Sequence, residues 1–450
     1  MSLLPFDNRP GVSRQPSAMS VANSEKELTE SETNDALNPV ITASSNHRLL
    51  DVDPAEVGLT THTDIFIHSG VRLCYGMLLI IFSMIDSPMF NKILYIIGFA
   101  GDRERGTRYL WQSARFDSFN SAMSGIALLA MYNGLVGFCD ILPTDAQAEV
   151  DLAGYPKERC ENLLNNMLRK YPDSKLWKME EARMYAFKKN LEASCAILVD
   201  NWQSGMKQIA VINVFELSLT SQFYHDYELC ARSWKQCSEM SNWSPCLYVY
   251  NTGITYVELY RRTRLTDPTK AKDYKKQATE YIRKAPPLAG KQRVMGKKLP
   301  FDSFVERKVA KWEARAKAWN VDLVDATGFS PFVESIFLWN GVKKQGKVEL
   351  EKDTNSLDWK WTSHAEKFEK DLDEKAAWAV VSASVKRNMG DVEGAKALLE
   401  EHVFKHDKYV FLSPSFIHNN AVQDTIANIL NLESHSKVRT TGCIRLANMS

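Results

Sequence analysis

Between Lys157 and Val403 apolar residues recur at the three-and-four spacing of amphipathic helices, and the helical runs come in pairs divided by short breaks. Leu176 to Lys189 turns at Asn190 into Leu191 to Val199, and Ile209 to Leu219 turns into Tyr227 to Met240. Pro245 introduces Leu247 to Arg261, and Ala271 to Lys284 runs into Pro286-Pro287. The cleanest pair lies further on: Ala376 to Arg387, a turn at Asn388-Met389-Gly390-Asp391, then Val392 to Val403. Ahead of this array, no segment from Gly98 to Phe138 alternates like a strand.

A helix pair exposes an apolar face that only a neighbouring pair can cover, so bulky and small residues must alternate at set positions. Trp177 and Ala193 take such large and small positions, as do Trp378, Ala395 and Leu399 in the later pair. Pro172, Pro245 and Pro286 each stand before a new pair, at intervals slightly longer than one or two units of about 34 residues, the tetratricopeptide period. The pattern predicts an all-α fold, an α-solenoid of degenerate tetratricopeptide-like helix pairs preceded by an N-terminal hydrophobic helical block. Residues 1–62, rich in Ser, Asn, Thr, Pro and Glu, read as a disordered arm. Residues 63–146 form the hydrophobic block, 147–345 the degenerate array, 346–371 a polar linker, 372–410 a C-terminal unit and 411–450 an irregular, shortened tail.

Within the block, Leu73 to Ile85 is almost continuously apolar until Asp86, Pro88, Asn91 and Lys92 interrupt it. That run is shorter than the roughly 20 residues a membrane span requires. It predicts a helical hairpin packed inside the protein, broken at Asp86-Ser87-Pro88, and no transmembrane span. A helix lying on a lipid monolayer would want a basic polar face, and only Arg72 and Lys92 are basic from Val71 to Ala100. Gly98 to Asp102 reads as one helix ending and another starting, with Asp102 placed to cap the second.

The charges change little, because 56 basic and 55 acidic residues nearly cancel and leave no global field for nucleic acid. The eight cysteines contain no CxxC pair and sit mostly among apolar neighbours, as reduced core thiols do. Met1 to Pro10 lacks the unbroken apolar run of a secretory signal, which points to the cytosol. One local excess stands out: Arg283, Lys284, Lys291, Arg293, Lys297 and Lys298, with no acid from Tyr281 to Leu299. The glycines around it resemble a phosphate-binding loop, but the spacing is wrong, Lys298 replaces the metal-binding hydroxyl, and Pro286-Pro287 precedes it where a strand belongs. A solvated basic loop is the plain reading; a contact for phosphoinositide headgroups or an acidic peptide is the functional one. His402 and His406 lack a third ligand for a metal, and His225 and Asp226 read as turn-capping residues. No GxSxG, HExxH or GxGxxG occurs, so no catalytic, cofactor or metal residues are expected.

The stretch Ile97 to Gly106, with Gly98, Phe99, Gly101, Asp102 and Gly106, resembles the central signature of the tetratricopeptide repeat protein 39 family. Tyr132 to Asp140, Gly154 to Cys160, Ala285 to Lys291, Leu299 to Asp302 and Val321 to Gly341 are similar to phrases of its fungal branch. The resemblance implies a non-enzymatic adaptor that clears misfolded-protein inclusions after folding stress in association with lipid-droplet proteins. It implies a cytoplasmic address with the nucleus as a second, the mitochondrial outer surface being the alternative. It brings no catalytic residues or cofactor, and the partners it implies are proteins. Family members carry more helix before the signature and a final repeat after Pro414, so both ends read as shortened. The rival function is binding or transport of a sterol or lipid by the block from Val71 to Phe138.

Overall fold

The computed structural model describes residues 61–85, Lys92, Leu94, Ile96, 99–138, 154–202, 205–294, 296–368 and 370–407. They fall into two compact units, one gathering residues up to Leu128 and the other those from Leu129 onward. The hydropathy boundary at 146 therefore does not coincide with the division between units. All of the expected arm but its last two residues, the tail 411–450, the Asp86-Ser87-Pro88 break and Gly98 lie outside the described residues.

The first unit contains α1 (His62–Ser83), α2 (Arg103–Ala114) and most of α3 (Phe119–Ala130), whose last two residues belong to the second unit. Thr61 caps α1 by accepting from the Asp64 N–H, and Asp102 caps α2 by accepting from the Arg105 N–H at 2.9 Å. Asp102 also donates its own N–H to the Leu79 carbonyl at 3.1 Å, pinning the start of α2 to α1. Glycine lets these helices touch. A Cβ on Gly101 would stand 2.2 Å from the Ser83 nitrogen, and one on Gly106 would stand 2.7 Å from the Gly76 carbonyl oxygen. Phe99 packs edge-on against Phe82 at 5.2 Å. Four of the five signature residues thus serve this one helix contact.

Only one face of α1 is covered, through Ser69, Arg72, Gly76, Leu79 and Ile80. The opposite face exposes Ile67, Val71, Cys74, Leu78 and Ile81, which alternate four and three apart. The expected inward packing is met on the first face of α1 and not on the second, and the other arm of the expected hairpin lies largely outside the described residues. At 22 residues, with a mean hydropathy of 1.8 in its most apolar window, α1 is long and apolar enough to cross a membrane. Length and composition alone assign no span, since core helices of soluble proteins meet the same measure.

The second unit realises the helix pairs. They run α4 (Lys157–Lys170), α5 (Lys175–Phe187), α6 (Leu191–Asp200), α7 (Lys207–Tyr224), α8 (Tyr227–Met240), α9 (Pro245–Thr263) and α10 (Pro268–Lys284). A two-residue hairpin, Arg293–Val294 against Lys297–Lys298, is the β-structure among the described residues. Then follow α11 (Pro300–Trp319), α12 (Pro331–Leu338), α13 (Lys347–Ser356), α14 (Leu372–Asn388) and α15 (Val392–Leu399). Asn190, Asp226, Asp267, Asp371 and Asp391 each accept a backbone N–H three residues on, and proline opens α9 through α12, which is why the breaks fall where they do.

Aromatic pairs bind the array together: Trp234 stacks on Tyr248, and Tyr250 stacks on Trp312. All of α12 is buried, a short strut inside the unit rather than another outer repeat. Stretch 346–371 is not a linker. It carries α13, a 3-10 turn at Trp359–Trp361 and a helical turn at Ala365–Phe368, held by buried Leu350, Leu357 and Phe368. Its many charges mask these isolated anchors, so hydropathy averages miss the packing.

Cys160, Cys195, Cys230, Cys237 and Cys246 are buried, and burial pushes the thiols of Cys195, Cys230 and Cys237 up to about 12. Thiolate is the reactive form, so these groups are inert while folded. Mass mapping after brief alkylation of the native protein should find Cys74 modified and these five protected, with all six modified in denaturant. Rapid native labelling of Cys230 would contradict the packing.

Candidate functional site

The second unit holds a cavity of about 190 Å³. A π-helical turn at Met131–Leu135 supplies Asn133 and Gly134 to its wall, α5 supplies Arg183, and α7 supplies Phe215, Glu216 and Phe223. Trp339 and Lys344, which follow α12, complete the lining. Glu216, Thr220 and Phe223 face one way because α7 continues to Tyr224, a turn beyond the expected end at Leu219.

A chain of hydrogen bonds runs along one wall. The Tyr155 hydroxyl donates to Asn133 Oδ1 at 2.9 Å, and Asn133 Nδ2 donates to Glu180 Oε2 at 2.8 Å. Arg183 bridges Glu180 and Glu216. Burial raises the pKa of Glu180, against the opposing pull of Arg183 and the Asn133 hydrogen bond. Burial would also raise that of Glu216, but Arg183 and Lys344 hold it below the ordinary carboxylate value. The Lys344 ammonium lies 5.1 Å from the centre of the Phe187 ring and 5.8 Å from that of Phe223. Burial lowers the Lys344 pKa, partly offset by Glu216. Gly341 keeps Phe223 in place, because a Cβ there would stand 2.3 Å from its ring.

None of these residues was expected as a site. Three signals were present in the sequence: the phrases Tyr132 to Asp140, Gly154 to Cys160 and Val321 to Gly341 supply Asn133, Tyr155 and Trp339. Lys344 itself carried no signal, since it stands among ordinary surface-type lysines.

The expected basic loop is less positive in space than in sequence. Arg283 pairs with Glu313, Lys284 with Glu280, and Lys298 with Glu306 at 2.9 Å, using acids from α10 and α11. Lys291 and Arg293 are exposed, and Arg293 and Lys297 pair in the hairpin register with Lys298 and Val294. Gly290, with φ of 73°, donates its N–H to Asp302 at 2.8 Å and shapes the loop. Of the dismissed residues, Asp226 does cap α8, whereas His225 does more. It ends α7 in the left-handed region, and its Nε2 lies 2.8 Å from Asp353 Oδ1, both side chains being fully buried. Burial raises the Asp353 pKa, opposed by His225. His402 packs edge-on against Trp378.

Consecutive Asp- and Asn-capped helix pairs with aromatic and alanine packing positions define a helical repeat protein of the tetratricopeptide class. Residues 19–389 match the profile of the Iml2/Tetratricopeptide repeat protein 39 family, and the chain belongs to that family. It is 58% identical to the inclusion body clearance protein iml2 of Sclerotinia sclerotiorum over 74% of this chain and 52% of that relative. It is 42% identical to the protein of the same name from Aspergillus terreus, over 83% and 54%. Against that from Yarrowia lipolytica the identity is 31%, over 75% and 52%. The chain thus spans about half the length of the curated relatives it matches. No solved structure matches it significantly.

Proposed function

We propose that this chain is a non-enzymatic adaptor that helps to clear misfolded-protein inclusions after folding stress, working through contacts with other proteins. The observation that carries the reading is the match over residues 19–389 to a family whose similar curated relatives are named for inclusion body clearance. Paired repeats support it physically, since stacked helix pairs build extended surfaces suited to holding other chains. Lipid-droplet proteins are the partners we propose, and the cytoplasm the location, with the nucleus second and the mitochondrial outer surface as the alternative. Co-purification of a tagged copy from heat-stressed cells should enrich droplet and inclusion proteins over unstressed controls. Recovery of neither class, with the tagged copy soluble and folded, would overturn the reading.

A second reading, binding of a lipid or sterol by the hydrophobic block, is favoured by the exposed uncharged face of α1. Leu78→Glu with Ile81→Glu should abolish flotation of the protein with neutral phospholipid vesicles. Unchanged flotation would remove that reading. Surface substitutions of this kind shift stability by only about 0.5 kcal/mol, so the folded protein is retained.

A further inference from the structure

The cavity in the second unit contains a cation whose hydrogen bonds the protein does not use. Among the described residues no carboxylate oxygen lies within 4 Å of Lys344 Nζ, and its close neighbours are the rings of Phe187 and Phe223. Arg183 is committed elsewhere, since its two ends are taken by Glu180 and Glu216. Lys344 is therefore a donor lining the space, with three N–H bonds and no acceptor for them among the described residues. The remaining walls are mainly apolar: Leu198, Phe215, Leu219, Phe223 and Trp339. The cavity communicates with solvent, because the Arg183 and Glu216 side chains on its rim keep 19% and 20% of their surface exposed.

From this geometry we propose that the cavity is a binding site for a carboxylate attached to a short branched or aromatic body, the carboxylate accepting from Lys344 and the body lying between Phe215, Leu219 and Trp339. Size supports this class. An apolar cavity of about 150 Å³ admits benzene, so about 190 Å³ takes a side chain of the size of leucine or phenylalanine and excludes a folded segment. Two sources share this chemistry: a small free acid, and the terminal residue of another polypeptide, whose α-carboxylate and side chain diverge from one carbon. A structural role is disfavoured by the same facts. The half-buried ammonium has given up part of its hydration without a carboxylate bonded to it among the described residues, which costs stability, and burial lowers its pKa against the opposing pull of Glu216.

The test uses the full chain, with isovalerate and N-acetylvaline as probes and their uncharged amides as controls, followed by the thermal midpoint and by calorimetry. Isovalerate stands for a free acid and N-acetylvaline for a chain terminus. At tens of millimolar at least one acid should raise the midpoint, while neither amide does so. Binding of isovalerate alone assigns a small acid, and tighter binding of N-acetylvaline assigns a chain terminus. Lys344→Met should leave the midpoint without ligand equal to or above that of the wild type and reduce acid binding at least tenfold. Lys344→Arg should retain part of it. Equal response to acids and amides, no response to either acid, or a Lys344→Met protein that is destabilised and still binds would each overturn the proposal. The inference does not rest on the adaptor reading, because acid binding is measured on purified protein and inclusion clearance in cells.

Discussion

Replacing Arg315 with alanine should destabilise the second unit by about 3–5 kcal/mol, the usual cost of stranding buried charges. Its guanidinium donates to Glu374 at 2.9 Å, to Asp371 at 2.8 Å and to the Ala326 carbonyl at 2.9 Å, joining α11 to α14. Lys308, Lys311 and Arg315 line one face of α11; Lys311 pairs with Asp373 at 2.5 Å, and Lys308 with Glu334 at 2.7 Å. Arg315 also lies over the Phe368 ring at 4.6 Å, so its loss removes packing as well as charge. The Glu374 carboxylate is almost wholly buried and packs directly on Gly328, where a Cβ would stand 2.0 Å from it.

The pH dependence has a definite sign. Burial would raise the Glu374 pKa, but Lys308, Arg315 and Lys311 hold it below the ordinary value. A carboxyl depressed in the folded state contributes stability that is complete above its unfolded pKa of about 4.3 and is lost as the pH falls through the folded value. Arg315→Ala removes part of that depression, so acid unfolding should begin at a higher pH than in the wild type. Urea titrations at pH 7 and across pH 3–5 read both effects. A loss below about 1 kcal/mol with an unchanged acid limb would show that the cluster is not coupled.

Replacing Gly106 with valine should separate α1 from α2 and unfold much of the first unit. Two effects compete. A residue with a side chain gains up to about 1 kcal/mol in helix propensity over glycine, whereas overpacking a tight contact costs about 1–3 kcal/mol and rises with each added methyl. The contact decides the sign: a Cβ would stand 2.7 Å from the Gly76 carbonyl oxygen and 2.8 Å from Ile80 Cγ1, and the first of these is backbone that cannot rotate away. Only 28% of the most apolar window of α1 is buried, so the described part of this unit offers little other burial to compensate. Hydrogen exchange should show the amides of α1 and α2 losing protection while those of α9 and α11 keep it. Retained protection in α1 would mean that the glycine contact does not hold the pair.

Much of the array was legible because its periodicity and punctuation agree. The predicted pair at Leu176–Lys189 and Leu191–Val199 appears as Lys175–Phe187 and Leu191–Asp200, and Tyr227–Met240 appears with the same ends. Asp and Asn caps and opening prolines mark these boundaries locally, so a single sequence carries them. Three-dimensional pairing was not legible. The basic loop looked unbalanced because Glu280, Glu306 and Glu313, which neutralise half of it, lie outside the run. The 346–371 stretch looked like a linker because Leu350, Leu357 and Phe368 are single anchors in polar surroundings. The cavity joins residues from Ala130 to Lys344, a separation no spacing rule bridges. What pointed to it were phrases recognised for their likeness to a family, not for their chemistry.

The central claim is that the protein promotes clearance of inclusions by binding rather than by catalysis. It is tested most directly by the lifetime of heat-induced inclusions in cells that lack the protein and are then supplied with this chain. The expected result is that inclusions disappear faster with the wild type, that Arg315→Ala loses the effect in step with its loss of fold, and that the rate rises with the amount of protein bound to inclusions. Clearance that is unchanged by supplying the folded chain would contradict the claim, as would clearance that proceeds with no protein bound to the inclusions.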